Sequence, residues 1–202
     1  MPATILVVDD DRTSMTLLSS LLRKAGYGVV TALDALQAVQ QALGIPDRRI
    51  VGDLRAACDY LRERPDVRAD RLGAVGFCMG GAWALLLACH EPIQAAADFY
   101  GRVRYPELTE AKPRHPVDYV PGLRCPLLGI FAGADAGIPV EHARELERIA
   151  RQNGKTVDLH VYPDAPHAFF NDQRESYRAP EALDAWKRTL GWFGRFLGGA
   201  GS

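Results

Sequence analysis

The chain has 202 residues, 48% of them hydrophobic and 24% charged, an ordinary globular composition. Its 24 basic and 25 acidic residues leave a formal net charge of −1, which excludes a broad electrostatic footprint for nucleic acid or an anionic membrane. No apolar run approaches the roughly 20 residues of a membrane span, and no basic-then-apolar leader opens the chain, so a cytoplasmic protein is expected.

A chain of this length buries about 70% of its unfolded surface and needs no disulfide staples. Cys58, Cys78, Cys89 and Cys125 lack CxxC spacing, so they read as reduced thiols. One α/β domain over residues 1–202, with a flexible tail at 198–202, is the expected organisation, and a monomer the expected state.

Thr4–Val8 is a short apolar run rich in β-branched residues, closed by Asp9, Asp10 and Asp11. Leu17, Leu18, Leu21 and Leu22 then repeat at helical spacing, and Gly26 supplies the stop. Gly28–Ala32 predicts a second strand and Ala35–Leu43 a second helix. Pro46 breaks that helix, Asp47 is placed to cap the next, and Ile50, Val51, Leu54, Ala57, Cys58 and Leu61 form one apolar stripe. Leu72–Phe77 reads as a buried strand, followed by a small-residue turn and a helix over Ala82–Cys89. Ala95–Tyr100 is another strand. The polar, proline-rich stretch Arg102–Leu123 predicts a loop with at most a short helix.

Pro126–Ala132 reads as a strand, Val140–Gln152 as a helix and Val157–Tyr162 as the last strand. Pro180 opens the final helix, whose Leu183, Trp186, Leu190, Phe193 and Leu197 are expected to face the sheet. This alternation predicts an α/β fold: a three-layer αβα sandwich around a mainly parallel sheet. The expected strand order is flavodoxin-like, 2-1-3-4-5, extended by a sixth strand. Chemistry in such sheets gathers at the carboxyl ends of the strands.

Gly76-Phe77-Cys78-Met79-Gly80-Gly81 lies between a predicted strand and a predicted helix, as a G-x-C-x-G nucleophile elbow would. Glycines two before and two after the cysteine permit so tight a turn, and the helix N-terminus favours a thiolate there. The backbone N–H of Met79 is the expected half of an oxyanion hole. The bland alternative is a glycine-rich turn around an inert core cysteine. Two further motifs weigh against it. Gly133-Ala134-Asp135 closes one strand, and His167 follows the last strand in the turn-rich run Pro163–Phe169. Nucleophile, acid, histidine is the chain order of α/β-hydrolases, so Cys78, Asp135 and His167 are the candidate catalytic triad.

From about Asp47 to Leu197 the chain resembles dienelactone hydrolases. The resemblance rests on Asp53-Leu54-Arg55-Ala56-Ala57, the elbow, Tyr100-Gly101, Gly133-Ala134-Asp135, His167-Ala168-Phe169 and Ala185-Trp186-Lys187-Arg188-Thr189-Leu190. It implies a cysteine hydrolase that opens lactones or cleaves small-molecule esters through an acyl-thioester, with no cofactor required. Some members bind a substrate carboxylate with an arginine four residues after the histidine; that position here is Asn171.

Residues 1–43 resemble instead the opening of a response-regulator receiver, through Ile5–Asp11, Leu17–Gly26 and Ala32-Leu33-Asp34-Ala35. This likeness implies a vestigial Mg²⁺ site at Asp9 and Asp10. The receiver's phosphoacceptor strand is missing, since Asp53 falls on the flank of a helical stripe. The two resemblances meet near Gly44–Asp47, between segments 1–45 and 46–197. Together they predict an engineered chimera that keeps the triad with weak or no ester or lactone hydrolysis, because the hydrolase's second oxyanion donor would be lost. A working cysteine esterase of the dienelactone hydrolase type is the alternative, and a Mg²⁺-binding signalling protein a lesser one.

Overall fold

The structure, a computed structural model, describes residues 3–8, 12–32 and 44–198. The helix expected over Ala35–Leu43, the acidic run Asp9–Asp11 and the tail residues 199–202 lie outside the described residues.

Six strands form one parallel sheet: β1 (Thr4–Val8), β2 (Gly28–Ala32), β3 (Leu72–Phe77), β4 (Ala95–Phe99), β5 (Leu127–Ala132) and β6 (Val157–Tyr162), in the order β2-β1-β3-β4-β5-β6. This is the expected order. Side chains alternate across the sheet with the period-two geometry of a strand. On β5, Leu127 and Phe131 face one core, whereas Leu128, Ile130 and Ala132 face the other. The first core is covered by α2 (Asp47–Glu63), α3 (Met79–His90), a 3₁₀ turn at Pro116–Gly122 and α4 (Val140–Gln152). The second is covered by α1 (Arg12–Lys24) and α5 (Ala179–Leu197).

Helix α1 ends as Gly26 predicts. Gly26 takes φ 84°, its N–H donates to the Arg23 carbonyl at 3.0 Å, and the Tyr27 N–H donates to the Leu22 carbonyl at 3.0 Å. That is a Schellman closure, which only a residue tolerant of the left-handed region makes without strain.

Three local expectations are corrected. Helix α3 begins at Met79, directly after Cys78, so Gly80 and Gly81 belong to its first turn and not to a preceding loop. Every residue from Gly80 to Cys89 is buried, which explains the lack of an apolar stripe in this segment: the helix is enclosed on all sides. Asp47 is the first residue of α2 and makes no side-chain cap. Its carboxylate is buried and accepts from Lys112 Nζ at 2.6 Å and Tyr105 Oη at 2.9 Å. Finally, α5 keeps Phe193 and Leu197 of its expected face buried, with Trp186 and Leu190 packed partly buried against the same core, but turns Leu183 outward. Leu183 is 68% exposed, while Ala182, Ala185, Thr189 and Phe193 are buried. The small side chains at 182 and 185 let this helix approach the sheet more closely than a leucine row would.

Strand register sets the working edge. Val8 pairs with Gly76, Phe77 with Phe99, Phe99 with Ile130, and Ala132 with Tyr162. The strands therefore finish together, and the loops carrying Cys78, Asp135 and His167 all leave from the carboxyl rim.

Candidate active site

Cys78 joins β3 to α3 with φ 54° and ψ −115°, a conformation costing on the order of 1–3 kcal/mol for a residue with a Cβ. Hydrogen bonds hold it there. Its N–H donates to the Phe99 carbonyl at 2.9 Å, and its carbonyl accepts the Gly81 N–H at 3.1 Å. The close crossing of strand and helix explains the flanking glycine, since a Cβ on Gly76 would run into the Gly80 carbonyl. Met79 opens α3, so its N–H is among the helix-start donors without an intrahelical acceptor.

The structure brings the other two candidates to this sulfur. His167 Nε2 lies 3.1 Å from Cys78 Sγ, and His167 Nδ1 lies 2.5 Å from Asp135 Oδ2. The remaining carboxylate oxygen, Asp135 Oδ1, accepts the backbone N–H groups of Gly137 at 2.8 Å and Ile138 at 3.1 Å. Asp135 thus sits with both oxygens occupied and its side chain only 4% exposed.

This arrangement sets the charges. Burial pulls the His167 imidazole down, but hydrogen bonds to Asp135 and Cys78 outweigh it and push its pKa up to about 9. Burial alone would raise the Asp135 carboxyl; the His167 contact and the Gly137 N–H reverse that and hold it below its ordinary value. The other three thiols are core groups. Burial pushes Cys58 up to about 11 and both Cys89 and Cys125 up to about 12, so none is a ready nucleophile at neutral pH.

Strain also collects here. Cys78, Tyr100 (φ 42°) and Ala168 (φ 59°) are the non-glycine residues of positive φ among the described residues. Tyr100 presents its ring edge-on to His167 at 5.1 Å between centroids. Tyr100 and Ala168 both border His167, the imidazole in contact with Cys78, so the strained backbone gathers around one cluster of side chains.

A cavity of about 440 Å³ opens on the triad. Met79, Ala82, Trp83, Pro106 and Ile138 give it apolar walls, while Arg102 and Lys112 bring positive charge. Neither cation was singled out by the sequence. Both lie in the stretch read only as a loop; the one available signal was that Arg102 follows Tyr100-Gly101 at the carboxyl end of a strand. Asn171 is not among the residues lining this cavity.

The model of the dienelactone hydrolase family matches residues 17–197. The chain belongs to this family. A Methylorubrum extorquens protein provisionally named a carboxymethylenebutenolidase is 39% identical over 175 residues, covering 85% of this chain and 60% of its own. A Yersinia pestis protein with the same provisional name is 38% identical over 151 residues, covering 74% of this chain and 55% of its own. The crystal structure of a provisionally assigned dienelactone hydrolase from Klebsiella pneumoniae superposes with a TM-score of 0.83 at 28% identity, over 96% of this chain and 88% of that one. The chain spans a little over half the length of the curated relatives it matches.

These findings overturn the chimera. The family match starts within α1 and extends past residues 44–47, where a junction was expected, and nothing found supports a receiver segment or an engineered origin. The likeness to a receiver has a physical source. A hydrophobic strand, a right-handed crossover helix and a second strand form the same local pattern in many doubly wound sheets. The readings that depended on it fall with it: an inactive engineered scaffold and a Mg²⁺-dependent signalling protein. Asp9 and Asp10, the supposed Mg²⁺ ligands, lie outside the described residues. Among the described residues no cluster of three or more His, Cys, Asp or Glu side chains is placed to hold a metal.

Proposed function

We propose that this protein hydrolyses carboxylic esters or lactones of small molecules through a Cys78 acyl-thioester. The observation that carries this reading is the unbroken chain of contacts Cys78 Sγ–His167 Nε2 and His167 Nδ1–Asp135 Oδ2, at 3.1 and 2.5 Å. Two features add support: family membership, and the name of a 38% identical Bradyrhizobium relative, provisionally a 2-oxo-3-(5-oxofuran-2-ylidene)propanoate lactonase.

The chemistry follows from the geometry. Cys78 Sγ attacks the substrate carbonyl carbon with its proton already held on His167 Nε2, where the raised imidazole pKa keeps it. Asp135 fixes the imidazole tautomer and balances the imidazolium. The carbonyl oxygen becomes an oxyanion, and the Met79 N–H is its donor. When the intermediate collapses, the C–O bond breaks and His167 returns its proton to the departing alkoxide oxygen. In a lactone that oxygen stays tethered, so the ring opens. Water then attacks the thioester with His167 as base, the C–S bond breaks, and the free acid leaves with the thiol restored.

No step requires a cofactor. Every group named comes from one chain, so a monomer is sufficient, and a single α/β unit carries the site. The four free cysteines suit a reducing compartment such as the cytoplasm. Hydrolysis of 4-nitrophenyl acetate by the wild type, reduced to background in Cys78→Ala, His167→Ala and strongly reduced in Asp135→Asn, is the test. Undiminished turnover in Cys78→Ala refutes the assignment.

A further inference from the structure

We propose that Asp98 is a positioning residue for the reaction at Cys78: from beneath the nucleophile turn it holds the backbone that seats both the thiol and the imidazole. The inference rests on the hydrolase reading and adds to it a group outside the triad. Asp98 lies on β4, where the strand register sets it between Gly76 of β3 and Gly129 of β5. It is fully buried, and its Oδ1 accepts the Gly101 N–H at 2.8 Å. Its Oδ2 has no hydrogen-bond partner among the described residues. Burying a carboxyl with one oxygen unpaired costs stability, the kind of departure from best packing that a scaffold makes to serve a site.

Two segments converge on Oδ1. A Cβ on Gly81, in the first turn of α3, or on Gly101, in the loop after β4, would collide with it. The carboxyl therefore fills the seam between helix start and loop. On the helix side, the Gly81 N–H donates to the Cys78 carbonyl at 3.1 Å. The Cys78 N–H in turn donates at 2.9 Å to the carbonyl of Phe99, the residue after Asp98. On the loop side, the Tyr100 N–H donates to the Ile130 carbonyl at 2.7 Å and the Gly101 N–H to Asp98. Tyr100 is thus pinned from both ends at φ 42°, with its ring edge-on to His167. One side chain braces the strained backbone under the thiol and under the imidazole. Burial, opposed only by the Gly101 N–H, pushes the Asp98 carboxyl up to about 7. The neutral acid still accepts at Oδ1, so asparagine is its closest substitute.

Turnover of 4-nitrophenyl acetate by Asp98→Ala and Asp98→Asn tests this. Alanine leaves the Gly101 N–H unpaired and frees Tyr100, whereas asparagine keeps the acceptor. Asp98→Ala lowers kcat about 10- to 100-fold, the range of a lost buried hydrogen bond, with KM within about threefold of wild type. Asp98→Asn recovers most of that loss. NMR titration of His167 reads the same effect without turnover. Its pKa, held up in part by the Cys78 contact, falls in Asp98→Ala and stays near the wild-type value in Asp98→Asn. Thermal melting checks that each variant folds. Should Asp98→Ala not melt cooperatively, Asp98→Val, which suits a buried strand and offers no acceptor, is read in its place. Wild-type kcat in the folded variant without an acceptor overturns the assignment and leaves the hydrolase reading intact, as does an Asp98→Asn impaired as deeply as Asp98→Ala. A wild type inert toward the ester removes the hydrolase reading and this role together.

Discussion

The carbonyl of Gly80 occupies the space that a Cβ on Gly76 would need. Strand β3 and helix α3 cross at this contact, and it is what allows Cys78 to stand above the sheet edge at φ 54°. Gly76→Ala must therefore separate strand from helix. A loss of about 1–3 kcal/mol or more is expected from overpacking, with a matching fall in the denaturant midpoint. An unchanged midpoint together with unchanged Cys78 reactivity would show that the crossing is looser than described.

The thiols separate by environment. Cys58, Cys89 and Cys125 are buried with their pKa values pushed to about 11 or 12, whereas Cys78 borders the cavity and His167. Brief iodoacetamide treatment of the native protein should label Cys78 at least about 100-fold faster than the others, because the thiolate is the attacking form. Peptide mapping by mass spectrometry reads this directly, and equal labelling of Cys58 would contradict it.

The imidazole's pKa of about 9 depends on Asp135 and Cys78. In Asp135→Asn burial remains but the anion is gone, so the His167 titration seen by NMR should move down by more than one unit. The sign for stability follows from linkage. A histidine with its folded pKa raised stabilises the native state fully below its unfolded value of about 6.5 and loses that contribution as pH rises through about 9. The depressed Asp135 carboxyl acts oppositely, stabilising at higher pH and failing as acid protonates it. Wild-type denaturant midpoints should thus drop between pH 7 and 9.5 more than those of Asp135→Asn. Parallel curves for the two proteins would mean that the pair is not coupled to folding.

Lys112 and Asp47 pair at 2.6 Å with side chains 5% and 6% exposed. Removing one partner strands the other, so Lys112→Met should cost about 3–5 kcal/mol. Adding Asp47→Leu to it should recover part of that loss, and the coupling emerges from a double-mutant cycle. Additive losses in urea unfolding would indicate that the two charges act independently.

Much of this site was readable before the structure because each part sits in a short motif beside a strand end. Gly76–Gly81, Gly133-Ala134-Asp135 and the run through His167 need only the rule that parallel strands finish at one rim. The strand order was also accessible, from right-handed crossovers and the alternation of elements. Long-range contacts were not. The Asp47–Lys112 pair joins residues 65 apart, and Arg102 reaches Gly137 across 35 positions, so no local pattern announces either. One position on the face of α5 was misjudged, because Leu183 matched the apolar period while Ala182 and Ala185 offered closer packing. The receiver-like opening misled for a related reason: forty residues of strand and helix carry the geometry of a whole fold class, and family membership shows only over the longer match.

The central claim is that Cys78 carries the acyl group between the two half-reactions, and intact-protein mass spectrometry of an acid-quenched reaction tests it most directly. Mixing wild type with excess 4-nitrophenyl acetate should give a burst of nitrophenolate and one added acetyl group, mapped to the peptide containing Cys78 and removable by hydroxylamine. Steady turnover with no acetyl adduct at any quench time and no burst, or an adduct that persists in Cys78→Ala, would contradict the account.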